Sequence, residues 1–138
     1  MERGKIYNRQ RANQVTDFSG MRWSNITPTD IDGALDFGGK IFVYFELKSS
    51  GKELPTGQRL HLERLVNNLI KAGCQAYAIV AEHNTDSNDD IIAADCLMRE
   101  FYDGNNWRKP GNEHLRLKNA IDGLLQFLGV SEQYGGIE

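Results

Sequence analysis

The chain has 138 residues, a net charge of −3, 40% hydrophobic residues and 25% charged residues, values that predict one globular domain spanning residues 1–138. Its two cysteines, Cys74 and Cys96, are too few and too far apart for a disulfide framework or a paired-cysteine zinc site, so we expect a reducing, cytoplasmic setting. The sequence has neither a signal-peptide pattern nor an apolar run long enough to span a bilayer, which predicts a soluble protein without a membrane partner.

Charge is distributed unevenly along the chain. Residues 1–25 contain five basic and two acidic side chains, a balance of +3, whereas residues 82–103 contain one basic and seven acidic side chains, a balance of −6. A nucleic-acid backbone would be attracted to the first region and repelled by the second. The negative total argues against a protein that binds polyanions through charge alone.

The N-terminal third predicts a short helix and then a β-hairpin. Residues 8–16 are polar and tolerate a helix, and a loop follows to Pro28. Two strand-like segments, residues 29–37 and 40–49, flank the Gly38-Gly39 pair that is typical of a hairpin turn. The second segment is apolar without alternation, which favours a strand covered on both faces.

A crossover helix and a returning strand follow the hairpin. Thr56 is a suitable N-cap for a helix that runs to about Lys71, and Gly73 provides its C-terminal stop. Residues 76–81 then form a short apolar strand.

The last third is less regular. Residues 82–90 predict an exposed loop, and residues 91–102 fit either a strand or a helix. Residues 103–106 are a strong turn signal, and residues 113–128 predict an amphipathic helix. The whole order of elements indicates an α/β or α+β domain with a central mixed sheet flanked by helices.

Glu46 and Lys48 stand at the end of an otherwise apolar strand. Residues two apart share one face of a strand, so these two side chains project together. An unpaired charge in the interior of a sheet costs several kcal/mol, so another group should compensate them. A surface salt bridge between Glu46 and Lys48 on an edge strand would account for the same spacing.

The hairpin register decides which acid faces Glu46. A three-residue turn centred on Gly39 places Asp32 opposite Glu46, whereas a two-residue turn places Ile31 there. The pattern alone leaves both registers open. Two carboxylates with a backbone carbonyl between them would suit Mg²⁺ or Mn²⁺ rather than zinc, and a nearby lysine would suit hydrolysis of a phosphodiester.

This order of residues resembles the PD-(D/E)XK nuclease superfamily. The resemblance lies in Asp32-Gly33, a hairpin and the strand at residues 42–48, and it continues through Gly57-Gln58, a leucine-rich helix and the strand at residues 77–80. The closest patterns are those of the VRR-NUC and Holliday-junction-resolvase branches. The likeness covers roughly residues 26–80, with the core motifs at about residues 26–83.

The resemblance implies a restriction-endonuclease-like core and a Mg²⁺-dependent deoxyribonuclease of DNA repair or recombination. Asp32, Glu46 and the Leu47 carbonyl would hold one or two Mg²⁺ ions, with Mn²⁺ as a substitute. Lys48 would position or activate the water, and Gln58 would orient Lys48 or the scissile phosphate. The partner would be duplex or branched DNA, and a homodimer is compatible with so small a protein.

Several assignments stay open at this level. Pro28 precedes Asp30 rather than Asp32, so Asp30 is a rival metal ligand, whereas Asp36 adjoins the turn and is expected to be solvated. Gln58 would equally serve as a capping or buried structural amide. The further acid that such nucleases carry on their first helix has no convincing match, which favours the alternative of a non-catalytic nucleic-acid-binding or protein-interaction module with the same fold.

Other residues are candidates for contacts with nucleic acid. Trp23 and Trp107 could stack on bases, although tryptophan is more often a core or interface residue. The basic side chains that we expect to contact backbone phosphates are Arg9, Arg11, Arg22, Lys52 and Arg59.

Overall fold

The computed structural model describes residues 4–5 and 17–134. The chain divides into two compact units, Met1–Asp30 and Ile31–Glu138. The helix predicted at residues 8–16 lies outside the described residues.

The larger unit contains a five-stranded mixed sheet in the order β1-β2-β3-β4-β5. β2 and β3 are parallel, and every other neighbouring pair is antiparallel. The strands are β1 (Gly33–Phe37), β2 (Ile41–Ser49), β3 (Gln75–His83), β4 (Leu97–Tyr102) and β5 (Trp107–Arg108). The predicted α/β class with a central mixed sheet is confirmed.

Helix α1 (Thr56–Lys71) connects the parallel strands β2 and β3, as parallel pairing requires a crossover. Its predicted end at Lys71 is confirmed, but the helix begins at Thr56 itself, so the predicted N-cap is wrong. Pro55 takes the cap position in an extended conformation, with φ −56° and ψ 147°, so Thr56 is already helical and caps nothing. At the other end, Gly73 has φ 95°, which ends the helix as predicted.

The C-terminal part contains a 3₁₀ turn (Ala93–Asp95), α2 (Leu117–Phe127) and the short α3 (Ser131–Tyr134). The ambiguous segment at residues 91–102 therefore holds the turn and then a strand, and the last long helix starts four residues later than predicted. Within the part of the chain that the structure describes, no helix is long and apolar enough to cross a bilayer.

Apolar side chains cover both faces of the sheet, which confirms the prediction for β2. On one face, the residues that pack together from α1, β2 and β3 include Leu62, Val66, Phe42, Tyr44, Ala76, Ala78 and Val80. On the other face, the packed residues from α2, β2, β3 and β4 include Leu117, Ile121, Leu125, Val43, Ile79 and Met98. Even-numbered residues of β2 therefore face α1, and odd-numbered residues face α2.

Candidate functional site

The hairpin has the three-residue turn. Phe37 pairs with Ile41, and the register continues to Gly33 opposite Phe45. One step further places Asp32 opposite Glu46, and the register that would place Ile31 there is excluded. Asp32 and Glu46 thus lie on the α1 face of the sheet.

Two glycines and one aspartate build this turn. Gly38 and Gly39 have φ of 66° and 72°, a left-handed conformation that glycine adopts without a steric penalty. The Asp36 carboxylate accepts the Gly39 backbone N–H at 2.6 Å. Asp36 is therefore an exposed turn residue, as predicted.

The Asp32 carboxylate binds the backbone of β2. Its Oδ2 accepts the Leu47 backbone N–H at 2.7 Å. Because β1 begins only at Gly33, a side chain here replaces the backbone partner that a longer strand would supply. This replacement explains why the strand predicted at residues 29–37 starts four residues late.

The Leu47 carbonyl lies on the same side of β2 as Asp32. The Ser50 N–H donates to the His83 carbonyl at 2.9 Å, so even-numbered residues direct their backbone polar groups toward β3. The N–H and C=O of an odd-numbered residue such as Leu47 therefore point toward the β1 side. The carbonyl and the Asp32 carboxylate share one edge of the strand.

Gly33 lies against the ring of Phe45. A Cβ added to Gly33 would come within 2.0 Å of the Phe45 ring, much closer than any real contact. The residue that follows Asp32 must therefore lack a side chain, because the Phe45 ring occupies the space where a Cβ would lie.

Glu46 is a charged side chain inside the sheet. It is 2% exposed, and within residues 4–5 and 17–134 it is the one polar or charged residue that is buried. Its neighbour on β3 is Val80, and Lys48 lies next to Glu82. Burial of a carboxylate costs free energy unless polar or charged groups compensate it. The burial of Glu46 therefore favours a functional role for this side chain.

Lys48 contacts the start of α1. Its ammonium Nζ donates to the Gln58 side-chain oxygen at 3.0 Å, and both residues are partly buried. Gln58 lies in the first turn of α1 and points at the end of β2, which is the contact expected of an amide that orients the lysine.

A cleft of about 560 Å³, here called the Lys48 cleft, opens beside this lysine. Arg59 and Glu100 form an ion pair on its wall, and the guanidinium of Arg59 also lies 4.4 Å from the centre of the Trp107 ring. Lys52 and Lys109 line the same cleft and are exposed. A phosphate that approached Arg59 would compete with Glu100, whereas within the described residues no carboxylate forms an ion pair with Lys52.

Other predicted contact residues lie elsewhere. Arg22 is exposed in the N-terminal unit, where its Nε donates to the Ser24 carbonyl at 2.8 Å. Asp30, the rival metal ligand, is exposed at the end of that unit. Arg9 and Arg11 lie outside the described residues.

The expected donor set would suit a hard divalent cation. Across the described residues, no group of three or more His, Cys, Asp or Glu side chains gathers to hold a metal ion. The expected set has two carboxylates, from Asp32 and Glu46, and the Leu47 carbonyl. Mg²⁺ is usually bound through one or two carboxylates and keeps several waters, so this oxygen-only set suits it.

The Lys48 cleft was missed at the level of sequence. Its far wall comes from β4 and the residues after β5, and the β3–β4 register shifts between Val80 and Ala81. A bulge of this kind leaves no pattern of alternating residues from which it could be read. The one signal was the run of acidic residues that begins at Glu82, which pairs with Arg99 at 2.7 Å.

Comparison of the chain with protein-family models, curated proteins and solved structures gave no match. Function is therefore inferred from the residues themselves.

Proposed function

We propose that the protein is a divalent-metal-dependent nuclease of the PD-(D/E)XK type, with a restriction-endonuclease-like core, that hydrolyses phosphodiester bonds in DNA. One observation carries the proposal. The Asp32 carboxylate, the buried Glu46 carboxylate and the Lys48–Gln58 pair all lie on the α1 face at one end of a single hairpin.

Asp32, Glu46 and the Leu47 carbonyl would hold Mg²⁺. When bound, the cation would withdraw charge from the phosphate and make water a better nucleophile. The hydrogen bond from Leu47 N–H to Asp32 Oδ2, at 2.7 Å, holds the carboxylate at the strand edge. Glu46 is buried and Asp32 exposed, so Asp32 would be the more solvent-accessible of the two carboxylate ligands.

Lys48 would act on the phosphate and the attacking water. Negative charge moves onto the phosphoryl oxygens during hydrolysis, and a fixed cation lowers the energy of that state selectively. The Gln58 oxygen, 3.0 Å from Nζ, restricts where the ammonium lies. Preorganisation of this kind is what makes one charged group effective.

The Lys48 cleft has room for a nucleotide beside Lys48. Lys52 and Lys109 on its rim would offer cations for flanking phosphates. Arg59 is fixed by Glu100 and Trp107 and would instead form part of the wall. Phosphate contacts at the rim position a backbone without reading its sequence.

The test is a cleavage panel with labelled single-stranded, duplex, flapped and four-way-junction DNA. We expect cleavage of at least one substrate in Mg²⁺ or Mn²⁺ and none in excess EDTA, because only oxygen donors face the expected cation. Glu46→Gln should abolish cleavage, and Asp36→Asn is the matched control that should retain it.

Two outcomes would count against this function. Undiminished cleavage in EDTA would remove the metal from the proposal. DNA binding without cleavage of any substrate in either metal would favour the non-catalytic binding module. The net charge of −3 means that electrostatic attraction to DNA would contribute little to the affinity of such a module.

A further inference from the structure

A tight two-residue hairpin lies in the N-terminal unit, and we call residues 22–26 the Trp23 hairpin. Trp23 and Ile26 exchange both backbone hydrogen bonds, each at 2.9 Å. Ser24 at the turn has φ 58° and is, within the described residues, the one non-glycine residue with a positive φ. A two-residue turn with positive φ matches the twist of paired strands and fixes the two flanking residues opposite each other.

Large apolar side chains project from this hairpin into solvent. Trp23 is 61% exposed and Ile26 is 69% exposed. Directly opposed residues of a hairpin present their side chains on the same face, so the indole and the Ile26 side chain form one apolar surface. Met21 and Phe18, which precede them, are also exposed. Contiguous exposed apolar patches on soluble proteins mark interaction sites, whereas single scattered apolar residues do not.

The second tryptophan has a different environment. Trp107 is partly buried, its N–H donates to Glu63 at 2.8 Å, and the Arg59 guanidinium covers its ring. Trp107 is therefore a structural residue of the larger unit, and Trp23 is the indole that the fold leaves uncovered.

Positive charge accompanies the exposed indole. Arg22 adjoins Trp23, and its Nε donates to the Ser24 carbonyl at 2.8 Å, which holds the guanidinium at the hairpin. That bond uses one of the five N–H donors of the group. Residues 1–25 carry a balance of +3 within a chain of net charge −3, so this part of the chain favours a polyanionic partner.

We propose that the Trp23 hairpin binds nucleic acid by stacking the indole on an unpaired base while Arg22 contacts the neighbouring phosphate. Stacking on aromatic side chains beside basic groups is how proteins bind single strands without reading their sequence. The inference deepens the proposed nuclease function and rests on it: the substrate would contain unpaired nucleotides, as flaps, junctions and single strands do.

A second copy of the chain is a poorer occupant. A stable protein interface buries about 800 Å² on each partner and engages roughly 20–30 residues a side. Even with the neighbouring Met21 and Phe18, the Trp23 hairpin offers only four exposed apolar side chains and one arginine, far fewer residues than such an interface engages.

Fluorescence of the intact chain tests the proposal, because the protein has two tryptophans. Trp107→Phe leaves Trp23 as the sole indole, and Trp23→Phe leaves Trp107. In Ca²⁺, single-stranded oligonucleotide should quench the emission of the first variant strongly and of the second hardly at all. Trp23→Ala should weaken oligonucleotide affinity by about tenfold or more, while Phe127→Ala, which removes another exposed aromatic ring, should leave affinity unchanged.

Arg22→Ala provides an independent measurement. Loss of one phosphate contact should lower the slope of log affinity against log salt by about 0.7 on a single strand. An unchanged slope would remove Arg22 from the contact.

Each remaining outcome also decides. The proposal would be overturned if an oligonucleotide bound without quenching the emission of Trp23. It would also be overturned if anionic phospholipid vesicles, or an increase in protein concentration alone, changed that emission. Cleavage in Mg²⁺ with unquenched Trp23 refutes the hairpin contact but leaves the nuclease. Quenching without cleavage in Mg²⁺ or Mn²⁺ refutes the nuclease but leaves the contact, and no binding of any oligonucleotide refutes both.

Discussion

The Lys48 ammonium lies 3.0 Å from the side-chain oxygen of Gln58. A neutral amide orients an ammonium without neutralising it, whereas a glutamate at the same place would form an ion pair. The contact with Gln58 therefore takes no charge away from Lys48, and it joins the end of β2 to the first turn of α1.

Lys48→Ala should reduce the single-turnover cleavage rate by at least about a hundredfold, the usual loss when one preorganised electrostatic group is removed. DNA affinity in Ca²⁺ should change far less, because one phosphate contact among several contributes little. Lys52→Ala is the matched control and should weaken affinity while it preserves the rate. Equal effects of the two substitutions on affinity, with no loss of rate, would identify Lys48 as a simple binding residue.

Gln58→Glu should slow cleavage about tenfold or more, since a carboxylate would take up the Lys48 charge that stabilises the transition state. The melting temperature should not fall, because the new ion pair replaces the hydrogen bond. Gln126→Glu adds the same charge at an exposed position on α2 and controls for net charge. A Gln58→Glu variant as fast as the wild type would show that Gln58 is merely structural.

Asp32→Asn should lose divalent-metal binding in calorimetry, because Asp32 faces Glu46 across the hairpin and a cation needs both carboxylates. Asp36→Asn should bind normally, since Asp36 bonds to Gly39 at the turn. If Asp30→Asn loses the metal and Asp32→Asn retains it, the ligand assignment must be reversed.

Gly33→Ala should destabilise the protein by about 1–3 kcal/mol, the usual cost of forcing extra atoms into a packed site, because the new methyl group would overlap the Phe45 ring. Metal affinity should fall as well, since Asp32 is the preceding residue. Gly57→Ala, where an added Cβ meets nothing within 4 Å, is the control and should be neutral or stabilising in a helix. Phe45→Leu combined with Gly33→Ala should recover part of the loss in thermal unfolding.

Asp103→Asn tests the turn before β5. Asp103 accepts hydrogen bonds from the backbone N–H of Asn106, from the backbone N–H of Asn105 and from the Arg108 side chain. These bonds lower the pKa of Asp103 from 3.8 to about 2. A pKa that is lower in the folded state adds stability above about pH 4 and loses it as the pH falls toward 2. At pH 7, the free energy of unfolding of the variant should be lower than that of the wild type by up to about 1 kcal/mol. This figure already allows for solvent screening. Denaturant titrations should show the difference shrink between about pH 4 and pH 2 and vanish below about pH 2, with Asp89→Asn as the control for charge.

The strongly patterned elements were predictable from sequence and the irregular ones were not. The extent of α1 followed from its apolar periodicity. Its termination at Gly73 followed from the position of that glycine directly after the apolar pattern. The hairpin register was open, because two adjacent glycines fit turns of two or three residues. The pairing of Phe37 with Ile41 and the bond from the Gly39 N–H to Asp36 distinguish the three-residue turn, and contacts of that kind are not visible in a pattern.

The wall of the Lys48 cleft could not be predicted for a related reason. The ion pair between Arg59 and Glu100 joins α1 to β4 across a long stretch of chain. The position of Glu100 depends on the β3–β4 register, which shifts between Val80 and Ala81, and such a shift has no periodic signal. Charges at such positions resemble ordinary surface charges until the register is known.

The side chains of the proposed site, Asp32, Glu46, Lys48 and Gln58, all come from one hairpin and the helix that follows it. Contacts between residues so near in sequence close with a small loss of chain entropy and tend to form early in folding. We therefore expect this segment to acquire its geometry before α2 packs beneath it. During synthesis, the proposed site would form while the ribosome is still adding the C-terminal third of the chain.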